Sequence, residues 1–106
     1  MSGARLLMLV CAMQPALMAL AATPTIITQA HRAFSRREVR IKRGETIRFS
    51  NADEFLHHLF VRAASFNFNS GEQEPGRDID VVFAATGTFE VRCEIHPRMV
   101  VSVTVE

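Results

Sequence analysis

Near the C-terminus of this 106-residue chain stands the segment Cys93-Glu94-Ile95-His96-Pro97-Arg98-Met99. It places a thiol, an imidazole and a thioether within one short loop's reach of each other. Soft sulfur donors select copper, and imidazole suits copper as well. The chemistry such a set serves best has two imidazoles and a thiolate in a plane, with a weak axial methionine. A second imidazole is then wanted, and Phe55-Leu56-His57-His58-Leu59-Phe60-Val61 offers two. Side chains alternate along a strand. His57 shares a face with Leu59 and Val61; His58 shares one with Phe60 and Arg62. The first face reads as interior, so His57 is the expected donor and His58 the alternative. His31 lacks such a neighbourhood and reads as a surface residue.

Other chemistries fit these residues less well. A cysteine–histidine nucleophilic pair needs an orienting group on its base, and no Asn or Asp follows His96. Structural zinc wants a closed set of Cys and His ligands. There is no Cys-x-x-Cys pair for haem attachment or thiol redox work. The formal net charge is only +1, which lacks the basic excess of a nucleic-acid binder.

The elements that must position these donors begin after an N-terminal leader. Arg5 precedes the apolar run Leu6–Leu20, and Ala19-Leu20-Ala21 forms a small-residue stop. The run is broken by Gln14 and Pro15, and a membrane span needs about 20 apolar residues. Residues 1–21 are therefore expected to be a cleaved signal peptide rather than an anchor. Residues 22–106 are expected to form one small exported, periplasmic domain. Removal of the leader leaves Cys93 as the only cysteine and Met99 as the only methionine. A lone thiol in an oxidising compartment calls for a chemical role.

Beyond Thr23 no helical period is sustained. Short alternating runs separated by turn residues predict strands near residues 25–28, 38–42, 45–49, 57–61, 79–83, 88–93 and 99–105. The inward faces carry Val39 and Ile41, then Ile47 and Phe49, then Val101, Val103 and Val105. Such a series suggests a small antiparallel β-sandwich or barrel. Seven Arg or Lys lie in residues 31–48, and five of the chain's acids lie in residues 70–90. That asymmetry reads either as two solvated faces or as a dipole that steers a charged partner.

The loop Cys93-x-x-His96-Pro97-x-Met99 resembles the ligand loop of the cupredoxins, the small type I blue-copper proteins that include plastocyanin and amicyanin. Upstream, Val39-Arg-Ile-Lys-Arg-Gly44-Glu-Thr-Ile-Arg-Phe49-Ser-Asn51 is similar to the family's pattern, as are Phe83 and Gly87 ahead of the cysteine strand. The resemblance spans residues 34–106. It implies a Greek-key β-sandwich of about eight strands and one copper ion held by His57, Cys93, His96 and Met99. It also implies one-electron transfer between a donor and an acceptor redox protein, by a monomer that is a carrier and not an enzyme. The partner would dock transiently near His96, on a patch that includes Leu56 and Pro97. The amide of His58 would bond the Cys93 sulfur. The chain departs from the family at Ile95, where proline is usual, at His58, where asparagine is usual, and at Glu94, where threonine or serine is common. The negative charge of Glu94 is expected to lower the copper potential. The alternative is a copper-storage or delivery protein built on the same donors. A metal-free adaptor with a buried Cys93 comes third.

Overall fold

The computed structural model describes Gly3 and residues 23–106; the expected leader, residues 1–21, otherwise lies outside the described residues. Among the described residues nine strands follow one another: β1 (Thr25–Ala30), β2 (Ala33–Phe34), β3 (Glu38–Ile41), β4 (Thr46–Asn51), β5 (Leu59–Arg62), β6 (Asn67–Asn69), β7 (Asp78–Val82), β8 (Gly87–Cys93) and β9 (Val100–Val105). Among the described residues no helix is long and apolar enough to cross a membrane.

Alternation decides which residues face inward. Val101, Val103 and Val105 of β9 are buried while their neighbours are not. The same period buries Phe89, Val91 and Cys93 of β8, and Ile47, Phe49 and Asn51 of β4. β-Branched and aromatic side chains suit such a pleated, half-buried surface. The strands assemble into a four-stranded sheet, β2-β1-β4-β7, and a five-stranded sheet, β3-β9-β8-β5-β6. Ile27, Ile47, Phe49 and Val81 of the first sheet join Val39, Leu59, Val91 and Val101 of the second in one buried cluster. Phe83 is fully buried, with the Phe66 ring 5.1 Å away and the Phe89 ring 6.4 Å away.

The sandwich is thus all-β, as the alternation implies, but not wholly antiparallel. β1 runs parallel to β4, and β3 runs parallel to β9. Parallel neighbours cannot be joined by a tight hairpin, so local turn signals carry no sign of them. Two further strands, β2 and β6, also differ from expectation. They are two and three residues long. Each is an edge strand ordered by its neighbour rather than by its own pattern.

One turn closes the end of the sandwich away from Cys93, and another stands at the Cys93 end. Gly44, at φ +88°, turns the chain from β3 toward β4, and its amide donates to the Phe83 carbonyl at 2.7 Å. Between β1 and β2, His31 and Arg32 take positive φ of 52° and 56°.

Candidate metal centre

Cys93 closes β8 and keeps its inward alternation, which leaves its side chain 2% exposed at one end of the sandwich. Beside it, Leu59 opens β5 in register with Cys93. His57, two residues earlier, preserves the inward face and is fully buried. His57 is fixed at both backbone groups: its amide donates to the Gln73 carbonyl at 3.0 Å, and its carbonyl accepts from the Gln73 amide at 2.7 Å. The loop after β8 turns back because the Met99 amide donates to the His96 carbonyl at 2.9 Å. Its start is tied by the Glu94 amide to the His58 carbonyl, also at 2.9 Å.

These constraints bring three donor atoms together. Cys93 Sγ lies 3.6 Å from His57 Nδ1 and 3.8 Å from His96 Nδ1, and the two nitrogens are 3.3 Å apart. Metal bonds of about 2.0 Å to nitrogen and about 2.3 Å to sulfur are usual for such ligands. Spread at about 120° around one ion, they would set edges of about 3.5 Å and about 3.7 Å. The observed triangle has that size, and its donors are the thiol-and-imidazole set that suits copper. The arrangement fits a single copper ion. Met99, the fourth expected donor, has a buried side chain, 2% exposed.

His58 does not join the trio. Its ring Nε2 lies 2.6 Å from Asn69 Oδ1, which turns it toward β6. Its amide donates to Cys93 Sγ at 3.4 Å, the contact that the family resemblance implies. A donor on the thiolate sulfur tunes a metal site's potential.

A layer of buried polar groups stands behind His57. With Nδ1 facing the trio, Nε2 carries the ring hydrogen and donates to Asp53 Oδ2 at 3.1 Å. The same oxygen accepts from the Arg32 amide at 2.8 Å. Asp53 is itself placed by its amide, which donates to Asn51 Oδ1 at 2.9 Å. Asn51 Nδ2 donates to the Phe55 and Gln73 carbonyls. The Gln73 side chain bridges the Phe49 and Arg77 carbonyls through Nε2 and accepts from Gln29 Nε2 at 2.7 Å. Gln29, Asn51, His57 and Gln73 are all buried polar residues. Buried side chains of this kind are usually satisfied by hydrogen bonds; in this layer, among the described residues, Gln29 Oε1 alone lacks a partner. Here those bonds fix one imidazole.

Electrostatics agrees with this layout. Burial pushes the Asp53 carboxyl up. The Arg32 amide, the His57 ring and the Glu54 amide pull it down further, so it sits below the ordinary carboxylate value. Burial, followed by the neighbouring His57 and Arg32, holds His96 below the ordinary histidine value, with Asp53 acting the other way. A neutral imidazole is the form that ligates a metal. The charge of Glu94 does not stand alone, because Arg62 Nη2 lies 2.7 Å from its Oε1.

Sequence reasoning reached the trio but not Asp53, Asn51, Gln73 or Gln29. Asn51-Ala-Asp-Glu54 and Ser70–Gly76 read as polar loops. The one available signal was Asp53 four residues before His57, a spacing with no force outside a helix.

No protein-family model matches the chain, and no curated protein does. Solved structures do. The chain is 22% identical to a Cu-containing nitrite reductase from Thermus scotoductus SA-01, with a TM-score of 0.74 over 82% of this chain and 23% of that one. The chain therefore spans about a quarter of that enzyme. A purple cupredoxin from Nitrosopumilus maritimus is 23% identical, with a TM-score of 0.68 over 77% of this chain and 99% of that one. A reduced mutant form of amicyanin is 21% identical, with a TM-score of 0.73 over 83% of this chain and 87% of that one. The fold is cupredoxin-like.

Proposed function

We propose that this chain is an exported type I copper protein that carries single electrons between a donor and an acceptor redox protein. The observation that carries the reading is the convergence of Cys93 Sγ, His57 Nδ1 and His96 Nδ1 at the end of a cupredoxin-like sandwich. In this reading residues 1–21 are removed and residues 22–106 act as a periplasmic monomer. Bound copper would supply the one-electron change between its two oxidation states.

The chain's own residues do the rest. Cys93 offers a thiolate, stabilised by the His58 amide. His57 is locked in one tautomer and one orientation by Asp53. A metal-bound histidine held by an outer carboxylate is a more basic and better-aligned ligand. His96 is the member of the trio nearest solvent, half-buried while His57 and Cys93 are buried, which makes it the path between the metal and a docked partner. Met99, whose side chain is buried, would offer a weak thioether as the fourth donor. Close packing around the buried donors resists movement between oxidation states.

Visible absorption and electron paramagnetic resonance of the purified protein with one equivalent of Cu(II) test this reading. The expected result is an intense blue thiolate-to-copper band with a small copper hyperfine splitting. His57→Ala abolishes that band and His58→Ala retains it; the reverse pattern would reassign the ligand. A colourless protein that holds Cu(I) and releases it to an acceptor would be a delivery protein instead.

A further inference from the structure

Five large apolar side chains are exposed among the described residues, and three of them, Phe55, Leu56 and Ile95, adjoin the donor trio in sequence. The Phe55 ring meets the His96 ring edge-on, with centroids 6.3 Å apart. Ile95 and Pro97 flank His96 on either side and share with it a shallow hollow of about 280 Å³. The remaining lining of that hollow is Arg32 and Arg98.

Four of the ten arginines in residues 23–106, Arg40, Arg48, Arg62 and Arg92, pair with a carboxylate, whereas among the described residues neither Arg32 nor Arg98 does. Asp53 is turned inward to His57. Glu54 lies with Arg32 and Phe55 around a separate hollow.

Arg32 is also held in place at a conformational cost. A two-residue hairpin turn with positive φ at both central residues favours Asn-Gly, yet His31 and Arg32 occupy those positions with φ of 52° and 56°. The Arg32 amide is anchored on Asp53, and its guanidinium lies 4.1 Å above the Phe55 ring. Strained backbone persists where surrounding contacts over-determine it, often beside functional sites.

We infer that the His96 face docks a redox protein whose own electron-exchange edge is apolar and ringed by carboxylates. The inference deepens the electron-carrier reading and rests on it. Apolar contact would exclude water between the two redox centres. Arg32 and Arg98 would steer and register the acidic rim, as complementary charges do at protein interfaces.

Residues 23–106 carry eleven Arg or Lys and eleven Asp or Glu, so overall charge gives no steering of either sign. A salt dependence of the exchange rate therefore reports the local field. The probe is cytochrome c, whose haem edge is ringed by lysines, used native and after succinylation has converted those amines to carboxylates. The reduced, copper-loaded protein gives one electron to the ferric haem, which becomes ferrous. Stopped-flow rates are followed as ionic strength rises from low to high.

The expected result is faster exchange with the succinylated form at low salt, falling about tenfold as salt screens the attraction, and the opposite trend with the native form. The double variant Arg32→Gln, Arg98→Gln keeps the blue band and flattens both trends. Equal salt dependence for the two forms, or an unchanged trend in the double variant, would overturn the inference with the blue band intact. So would sedimentation showing that the face is covered by a second copy of the chain. A wild-type protein with no blue band would remove the electron-carrier reading, and the inference with it.

Discussion

Asp53→Ala removes the carboxylate on which His57 leans. Its Oδ2 lies 3.1 Å from His57 Nε2, and the two side chains are 6% and 0% exposed. Truncation leaves the ring N–H without a partner where water does not reach. A buried donor left unsatisfied costs about 1–3 kcal/mol. A second route to the magnitude starts from the metal. Loss of the group that orients a ligating histidine typically lowers affinity about 10–100-fold. At about 1.4 kcal/mol per decade that is about 1.4–2.8 kcal/mol, in agreement with the first figure. The Arg32 amide also loses its acceptor, but it lies at the exposed side, and water can replace the carboxylate there at little cost. The assay is competition for copper against a chelator of known affinity, followed by the blue band, together with urea denaturation of the metal-free protein. Copper affinity is expected to fall about 10–100-fold, and Asp53→Asn, whose amide oxygen still accepts a hydrogen bond, to recover most of the loss. Unchanged copper affinity in Asp53→Ala, or an asparagine variant no better than alanine, would refute the positioning role.

Phe83 is fully buried against Phe66 and Phe89, so Phe83→Ala should destabilise the fold by about 3–5 kcal/mol. Urea unfolding curves measure it, and a loss under about 1 kcal/mol would contradict so tight a core. At the surface, the hydrogen bond from Arg48 holds the Asp80 carboxyl below its ordinary value. A carboxyl depressed in the folded state adds stability above its unfolded pKa and loses it as pH falls through its folded pKa. Arg48→Met should therefore lose less stability than the wild type as pH falls from about 5 to about 2; thermal melts with the same acid dependence in both proteins would refute the linkage.

Period-2 patterning made much of this fold legible. Val39 and Ile41, Ile47 and Phe49, and Val101, Val103 and Val105 all face inward as alternation requires. The same rule separated His57 from its neighbour, because the inward face continues from Leu59 and Val61. The parallel neighbours were not legible, since alternation fixes which face a residue takes and not which strand lies beside it. Nor was the polar layer behind His57, because a buried glutamine and a solvated one look alike in a turn-rich segment. Gln73 is marked as interior only by the carbonyls that meet it from Phe49 and Arg77. The apparent division into basic and acidic segments is reduced by folding, which sets Arg48 of β4 against Asp80 of β7.

The parallel contact of β3 with β9 bears on the order in which the molecule assembles. Val39 lies beside Val103, so the larger sheet is completed by a strand that is synthesised after the other eight. Until it arrives, β3 has no neighbour in that sheet and β8 lacks one side. Contacts so distant along the chain make folding slow, on a scale of about milliseconds to seconds for β-sandwiches. The nascent domain thus stays open until its ninth strand has been made. Its donors His57 and Cys93 are set by the pairing of β5 with β8, in which β9 takes no part, so two of the three donors can meet before the larger sheet is complete.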